Sequence, residues 1–335
     1  MNQPASNPFV YSNDNKRYHT WNYYLRNKFG CRVAKIPVRV ASSCPNRDGS
    51  RGSGGCTFCS GAGSGEGAGS AEEPLVAQYA KAVALRAGKW PAAKYIVYFQ
   101  AFSSTYLPVE RLRKSVQEAL ALPGVVGIAI ATRADCLPAE VLEYLEWLNR
   151  QTWLVVELGL QTVHDSTARR INRCHTYSEF LSGYHALQAR GVATCVHLLN
   201  GLPGESVEMM RESARQLAAL APHSVKIHML NLLRGTALAA EYEKEPFALL
   251  DRAQYIALLC DQLEYLPPGT VVQRITGDAV AGELIAPQWA GNKLAVRNGL
   301  DQEFFRRGSM QGARYGQGES NAGRLGSHIA AGYEK

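Results

Sequence analysis

The chain has 335 residues, 46% apolar and 19% charged, the make-up of an ordered globular protein, which excludes wholesale disorder; the length accommodates two domains or one large α/β barrel. Its 36 basic and 29 acidic residues leave a formal charge of +7, which permits an anionic partner without requiring one. No charge-free stretch reaches the roughly 20 apolar residues of a membrane-spanning helix, and the first twenty residues lack the apolar core of a secretory signal, so the expected setting is cytoplasmic, without membrane insertion.

Ahead of residue 36, Tyr18, Trp21, Leu25 and Phe29 share one helical face, with Lys16, Arg17, Arg26 and Lys28 elsewhere. This reads as a packing helix with a solvated basic side, in preference to an RNA-stacking surface. The chain then repeats a β-rich apolar run, a polar or glycine-containing loop and a helix-like stretch. Six such runs are predicted as strands, at 36–41, 95–99, 125–131, 154–160, 192–199 and 225–230. Their continuous hydrophobicity suits parallel strands covered on both faces. Between them, Leu75, Val76, Tyr79, Ala80 and Val83 fall at helical spacing, as do Val141, Leu142, Leu145 and Leu148. The expected fold class is therefore α/β, a partial (βα)6 TIM-like barrel with an N-terminal helix and a C-terminal extension; a doubly wound sheet is the competitor. Both gather ligands beyond the carboxyl ends of the strands. The expected division is an N-terminal extension over 1–35, the barrel over 36–236, an extension packing on it over 237–307, and a disordered tail over 308–335, where seven glycines fall in 28 residues. Residues 49–69 hold nine glycines, and the stretch 60–70 is expected to form a flexible loop, a solvated linker in preference to a mobile cover for the site.

Of eight cysteines, Cys31, Cys136, Cys174, Cys195 and Cys260 are scattered, while Cys44, Cys56 and Cys59 follow the first predicted strand with the spacing C-x11-C-x2-C. In a reducing compartment such a group binds metal more often than it forms disulfides. A structural zinc needs a fourth ligand, and Cys31, before the strand, is poorly placed for it. An iron-sulfur cubane held by three thiolates keeps one iron open.

The string CPNRDGSRGSGGCTFC resembles the cluster loop of the radical S-adenosylmethionine (SAM) superfamily, with the widened first spacing of its Elongator-catalytic-subunit-like branch. The likeness runs from about Arg17 to Gly312 and is to members lacking the acetyltransferase domain, so acetyl transfer is not expected. The resemblance implies that Cys44, Cys56 and Cys59 hold a 4Fe-4S cluster, with SAM on the fourth iron. A low-potential donor such as a flavodoxin or ferredoxin would supply the electron that splits SAM into methionine and a 5′-deoxyadenosyl radical, which abstracts hydrogen from substrate. It further implies that Phe58 packs beside the SAM adenine. Gln161 in GLQT and Arg173 in INRCH match SAM contacts of the coproporphyrinogen-oxidase-like group, Arg173 offering a fork suited to a carboxylate. Gly201 and Gly204 match that group's GLPG turn, and His197 stands where relatives often carry Asp, read either as a SAM ribose contact or as a buried, hydrogen-bonded histidine. The usual Gly-Gly-Glu motif after the second strand is replaced by FQAFS, leaving Gln100 or Ser103 for the SAM amino group. In ATRAD, Ala131 stands where Elongator-like relatives carry Glu, with Glu157 a possible substitute. Arg234, Arg274 and Asp278 are candidates for a substrate pocket, with surface ion pairing the plainer reading. The substrate is open, transfer RNA being favoured by charge and by the Elongator likeness. The rival reading is a zinc-stabilised, non-catalytic nucleic-acid-binding protein using Cys31, Cys44, Cys56 and Cys59.

Overall fold

The apolar runs become strands wherever both faces of the backbone can be covered. In the computed structural model, which describes residues 7–63, 65, 67–87, 94–277 and 282–316, the chain opens with helix α1 (Trp21–Phe29) and strand β1 (Val33–Val38). It continues through α2 (Leu75–Ala87), β2 (Lys94–Phe99), α3 (Val109–Leu120), β3 (Val125–Thr132), α4 (Ala139–Gln151), β4 (Trp153–Gln161), α5 (Asp165–Arg170) and α6 (Tyr177–Gln188). Next come β5 (Ala193–Asn200), α7 (Val207–Leu220), β6 (Ser224–Met229), β7 (Leu232–Leu233), α8 (Ala237–Lys244), α9 (Arg252–Tyr265), β8 (Val271–Arg274), β9 (Leu284–Ala286) and α10 (Lys293–Arg307). Strands β1 to β6 and then β8 lie side by side in one parallel seven-stranded sheet, with no break in order from β1 to β6, and β7 and β9 form a separate antiparallel ribbon. The sheet curls into a half-barrel with helices outside.

Two features depart from the sequence reading. The six expected strands form, but β1 begins at Val33 rather than at 36 and ends at Val38, and a seventh parallel strand, β8, is supplied by the 237–307 stretch and pairs with β6. Four residues, VVQR, are too short a run to be read as a strand alone; α9, capped by a reciprocal Asp251–Gln254 box, delivers it to the sheet edge. The tail is also ordered further than expected. Gln311 is buried, its amide donates to the carbonyls of Pro267 and Thr270, and its Oε1 accepts the His19 N–H. That seal holds residues 308–316 in place, while 317–335, like Asp278, lie outside the described residues.

Helix α1 starts at Thr20, whose hydroxyl accepts the Tyr23 N–H, and stops at Gly30, in the left-handed conformation that glycine adopts without strain. Tyr18 therefore precedes the helix and packs against Phe304 instead. Leu25 enters the barrel interior with Val33, Ile96, Tyr98, Ala129, Val155 and Cys195, and Trp21, Tyr24 and Phe29 pack around Trp153. The aromatic face of α1 is thus consumed in closing the amino-terminal mouth. The described part of the glycine loop is packed too: a Cβ at Gly63 would overlap the Phe102 ring, and one at Gly69 would overlap Gln78. No described helix is long and apolar enough to cross a membrane.

Candidate functional site

At the carboxyl mouth the chain leaves β1 and turns back on itself. The Arg47 and Cys59 amides bond to the Cys44 and Cys56 carbonyls at 2.8 and 2.9 Å, and Arg47 Nη2 reaches the Ser60 carbonyl at 2.6 Å. Cys44, Cys56 and Cys59 form no disulfide and are half-buried. Gly52 sits so close to its neighbours that a Cβ there would overlap Asn46 Oδ1 and stand 2.7 Å from Cys174 Sγ.

A tetrahedral zinc with bonds of about 2.3 Å needs sulfurs about 3.8 Å apart. Among the described residues, no three of Cys31, Cys44, Cys56 and Cys59 come within 4.8 Å of one another. Cys31 lies at the far end of β1, packed with the α1 aromatics, about 20 Å of strand from the other three at 3.3 Å per residue. The zinc set fails on geometry. Three soft thiols at one mouth are, by their chemistry, a donor set that would suit an iron-sulfur unit in which each sulfur takes a different iron.

The loop after α5 faces these cysteines. Ile171 receives the Thr57 N–H on its carbonyl at 3.0 Å, while Asn172 donates through Nδ2 to the carbonyls of Ser53 and Gly55 at 3.0 and 2.8 Å. Asn172 and Cys174 both adopt positive φ, as do Ala101, Phe102 and Gln161. Among the described residues, five of the six such non-glycine residues therefore lie at strand ends or loops around this mouth, the placement expected when surrounding structure holds a site against local preference. Part of that hold is Arg133. Buried, it forks onto Asp135 at 2.8 Å twice and donates to the Arg173 and Cys174 carbonyls at 3.0 and 3.2 Å. Burial would raise the Asp135 carboxyl, but the guanidinium outweighs it and the group sits below its ordinary range.

Arg173 and Gln161 are brought together. Arg173 Nη2 donates to the Gly159 carbonyl, and a Cβ on Gly159 would lie 2.9 Å from Gln161 Nε2 and 3.4 Å from Arg173 Nη2. Arg173 is 6% exposed, yet its Nε is buried without a partner; a carboxylate reaching that atom would satisfy it. Burial and the Arg173 charge push His175 beside it down to about 3. Ser103 is fully buried, its amide bonded at 3.1 Å to the carbonyl of Ser43, next to Cys44, while the Gln100 amide bonds to the Val38 carbonyl at the end of β1 at 3.0 Å. Phe58 is half-buried against the apolar cluster that includes Ile171, Leu199, Leu202 and Leu230. Gly201 and Gly204 have φ of 86° and 83°, turning the chain away from β5. Cys56 and Cys59 border a cleft of about 620 Å³ with Arg47, Arg234, Gly235 and Thr236; Arg274 is exposed at the end of β8.

Beneath the mouth lies a polar core of which the sequence pointed only to Glu157 and His197, and the Glu157 carboxylate is spent inside it rather than offered to a ligand. Glu157, fully buried, pairs with Lys35 and Lys226, accepts the Tyr98 hydroxyl at 2.7 Å and meets His197 Nε2 at 2.9 Å. Burial would raise its carboxyl, but Lys226, Lys35 and His197 hold it well below its usual range. Burial pushes Lys226 down to about 8 against the opposing pull of Glu157, and brings His197 to about 4 with help from Lys226. His197 is therefore neutral near pH 7, with Nε2–H donating to Glu157. The signal for this core was parity: Lys35, Tyr98, Glu157, His197 and Lys226 interrupt apolar strands at inward-facing positions.

Comparison with known proteins agrees with this geometry. Residues 44–217 match the family model described as the radical SAM superfamily, and residues 222–306 match its C-terminal domain model. The protein YtqA of Bacillus subtilis is 48% identical over 92% of this chain and 95% of its own length, and protein YhcC of Escherichia coli K12 is 32% identical over 88% and 94%. Human Elongator complex protein 3 is 26% identical over 46% of this chain but only 28% of its own length. Among solved structures, the archaeal Elp3 of Methanocaldococcus infernus superposes with a TM-score of 0.61 at 16% identity, covering 83% of this chain and 64% of that one, a likeness of fold. With its cysteine triplet at the mouth of a parallel half-barrel and more than half its length matched, this chain belongs to the radical SAM superfamily and is an enzyme of that class.

Proposed function

We propose that this enzyme cleaves SAM reductively at a 4Fe-4S cluster held by Cys44, Cys56 and Cys59, and directs the radical at a hydrogen of a transfer RNA nucleotide. The observation that carries the first part is the convergence, at one barrel mouth, of three half-buried thiols outside any disulfide with a buried guanidinium whose Nε lacks a partner. The chemistry supplied there with both groups bound is cleavage of SAM to methionine and a 5′-deoxyadenosyl radical. This chain's residues would do the rest. Arg173 would orient the methionyl carboxylate, Gln161, Gln100 and Ser103 would offer polar ends to the amino group and ribose, and Phe58 would cover the adenine. His197 would act indirectly, tying β5 to Glu157. The glycines at 201 and 204 would let the backbone turn close beside the ligand. The α1 plug and the Glu157 core keep water out of the barrel from below.

A low-potential donor such as a flavodoxin or ferredoxin is proposed as the electron source, and a cytoplasmic setting is supported by eight cysteines without a disulfide. Transfer RNA is supported by the +7 charge, by Arg47 and Arg234 at the cleft beside Cys56 and Cys59, and by the likeness to Elongator complex protein 3.

Anaerobic reconstitution should give about four irons per chain, and SAM with reductant should yield 5′-deoxyadenosine. Cys56→Ala should abolish both while leaving the circular dichroism spectrum nearly unchanged; full turnover by that variant would defeat the assignment. Modified nucleosides in cells with and without the protein test the RNA reading, and unchanged nucleosides beside altered small metabolites would replace it.

A further inference from the structure

We infer that Asn46 is a positioning residue that sets the redox poise of the cluster and fixes its loop to the segment bearing Arg173, an inference that rests on the cluster reading above. Asn46 is fully buried between Cys44 and Cys56 in the chain. Its Nδ2 donates to the Asn172 carbonyl, 126 residues away, and lies 3.6 Å from Cys56 Sγ, within reach of an N–H···S bond. The amide orientation follows from these partners: turned over, Oδ1 would face a carbonyl oxygen and a thiolate together. The backbone of Asn46 is held as well, its carbonyl accepting the Gly55 N–H at 2.8 Å. Asn172 answers with its own side chain, donating to Ser53 and Gly55. Two asparagines thus stitch the cysteine loop to the strained segment that carries Arg173.

An N–H bond to a thiolate ligand stabilises the more electron-rich, reduced form of an iron-sulfur centre and raises its potential. Loss of that donor makes reduction harder. Loss of the bond to Asn172 loosens the spacing between the sulfurs and the guanidinium. These are separable effects.

Asn46→Asp keeps the shape of the side chain and removes the donor. After anaerobic reconstitution to wild-type iron content, its reduction potential, read by equilibrium titration of the paramagnetic reduced cluster, should shift below that of the wild type. An unchanged potential at full loading overturns the redox half. If Asn46→Asp does not take up iron, Asn46→Ser, which is smaller and loses the reach to Cys56, decides by the same two readings. The anchoring half is read in iron-free protein. Amide hydrogen exchange across 45–56 should quicken at least tenfold in Asn46→Ser while exchange in the barrel strands stays unchanged, and equal exchange in the loop overturns it. Wild-type protein that binds no iron under these conditions would sink the cluster reading itself.

Discussion

Arg173 is a guanidinium buried with one donor unused, and its proposed role at the SAM carboxylate rests on that combination. Charge-assisted hydrogen bonds contribute about 1.5–3 kcal/mol, and a lysine offers neither the fork nor the Nε. Arg173→Lys should therefore raise the Michaelis constant for SAM about 10- to 100-fold with iron content unchanged, and an unaltered constant would remove Arg173 from the SAM site. The buried histidines make a separate statement about acid. His197 and His223 are both held near 4, chiefly by burial, with positive neighbours adding to it. Their folded values lie below the ordinary 6.5, so between about 6.5 and 4 the unfolded chain takes up protons that the folded one refuses. Stability should fall as pH drops through that window. Melting curves recorded from pH 7.5 to 4.5 should show it, and His223→Gln should flatten the dependence; an identical slope in the variant would mean that His223 is not held neutral.

Elements meet here at small residues. In α6, a Cβ on Gly183 would overlap the Ala134 carbonyl and stand 2.8 Å from the Ala134 side chain, just beyond Arg133 in the turn that holds the strained loop. Alanine raises intrinsic helix propensity by about 1 kcal/mol, but forcing α6 away from backbone costs about 1–3 kcal/mol. Overpacking wins on these magnitudes. Gly183→Ala should lower the melting temperature by several degrees, and a value at or above wild type would show that the helix can retreat freely. The same logic explains why α1 carries so many aromatics: its surface is a stopper for the barrel, with Trp21 and Tyr24 set against Trp153 and Lys35 Nζ lying 4.8 Å from the centre of the Trp21 ring.

For the molecule as a whole, the Glu157 core ties the curled sheet together. Lys35 of β1 reaches Glu157 of β4 and donates to Gln273 of β8 at 2.5 Å, and Gln273 passes on to Ser224 of β6 at 2.7 Å. The first and last strands are thereby linked through the lumen although no backbone pairing joins them. Removing the carboxylate leaves two ammonium groups uncompensated in a dry interior, a loss of about 3–5 kcal/mol. Glu157→Gln should unfold at markedly lower denaturant, and Glu157→Met with Lys226→Met should recover part of the difference. Equal midpoints for wild type and Glu157→Gln would mean that the core is wetter than its burial implies.

Local features were legible in the sequence: the cysteine spacing, the strand-helix alternation and the helical faces are written within short windows, and hydrophobic burial on both faces of a parallel strand leaves an unmistakable apolar run. The cysteine loop could be read because its glycines and cysteines sit within sixteen residues of each other. What the windows could not carry was which distant side chains share an interior. The pairing of Lys35 with Glu157 spans 122 residues and that of Asn46 with Asn172 spans 126; both depend on how far the sheet curls and in what register, quantities set by strand pairing and by β8, a four-residue strand recognisable only once α9 presses it onto β6. The sequence by itself determined the family and the repeating architecture, because those rest on near neighbours along the chain. Tertiary structure alone decided that the lumen is a charged core, that α1 is spent on packing and that the Arg173 segment is held under strain, because the partners that neutralise, cover and restrain these groups arrive from elements far apart in the chain.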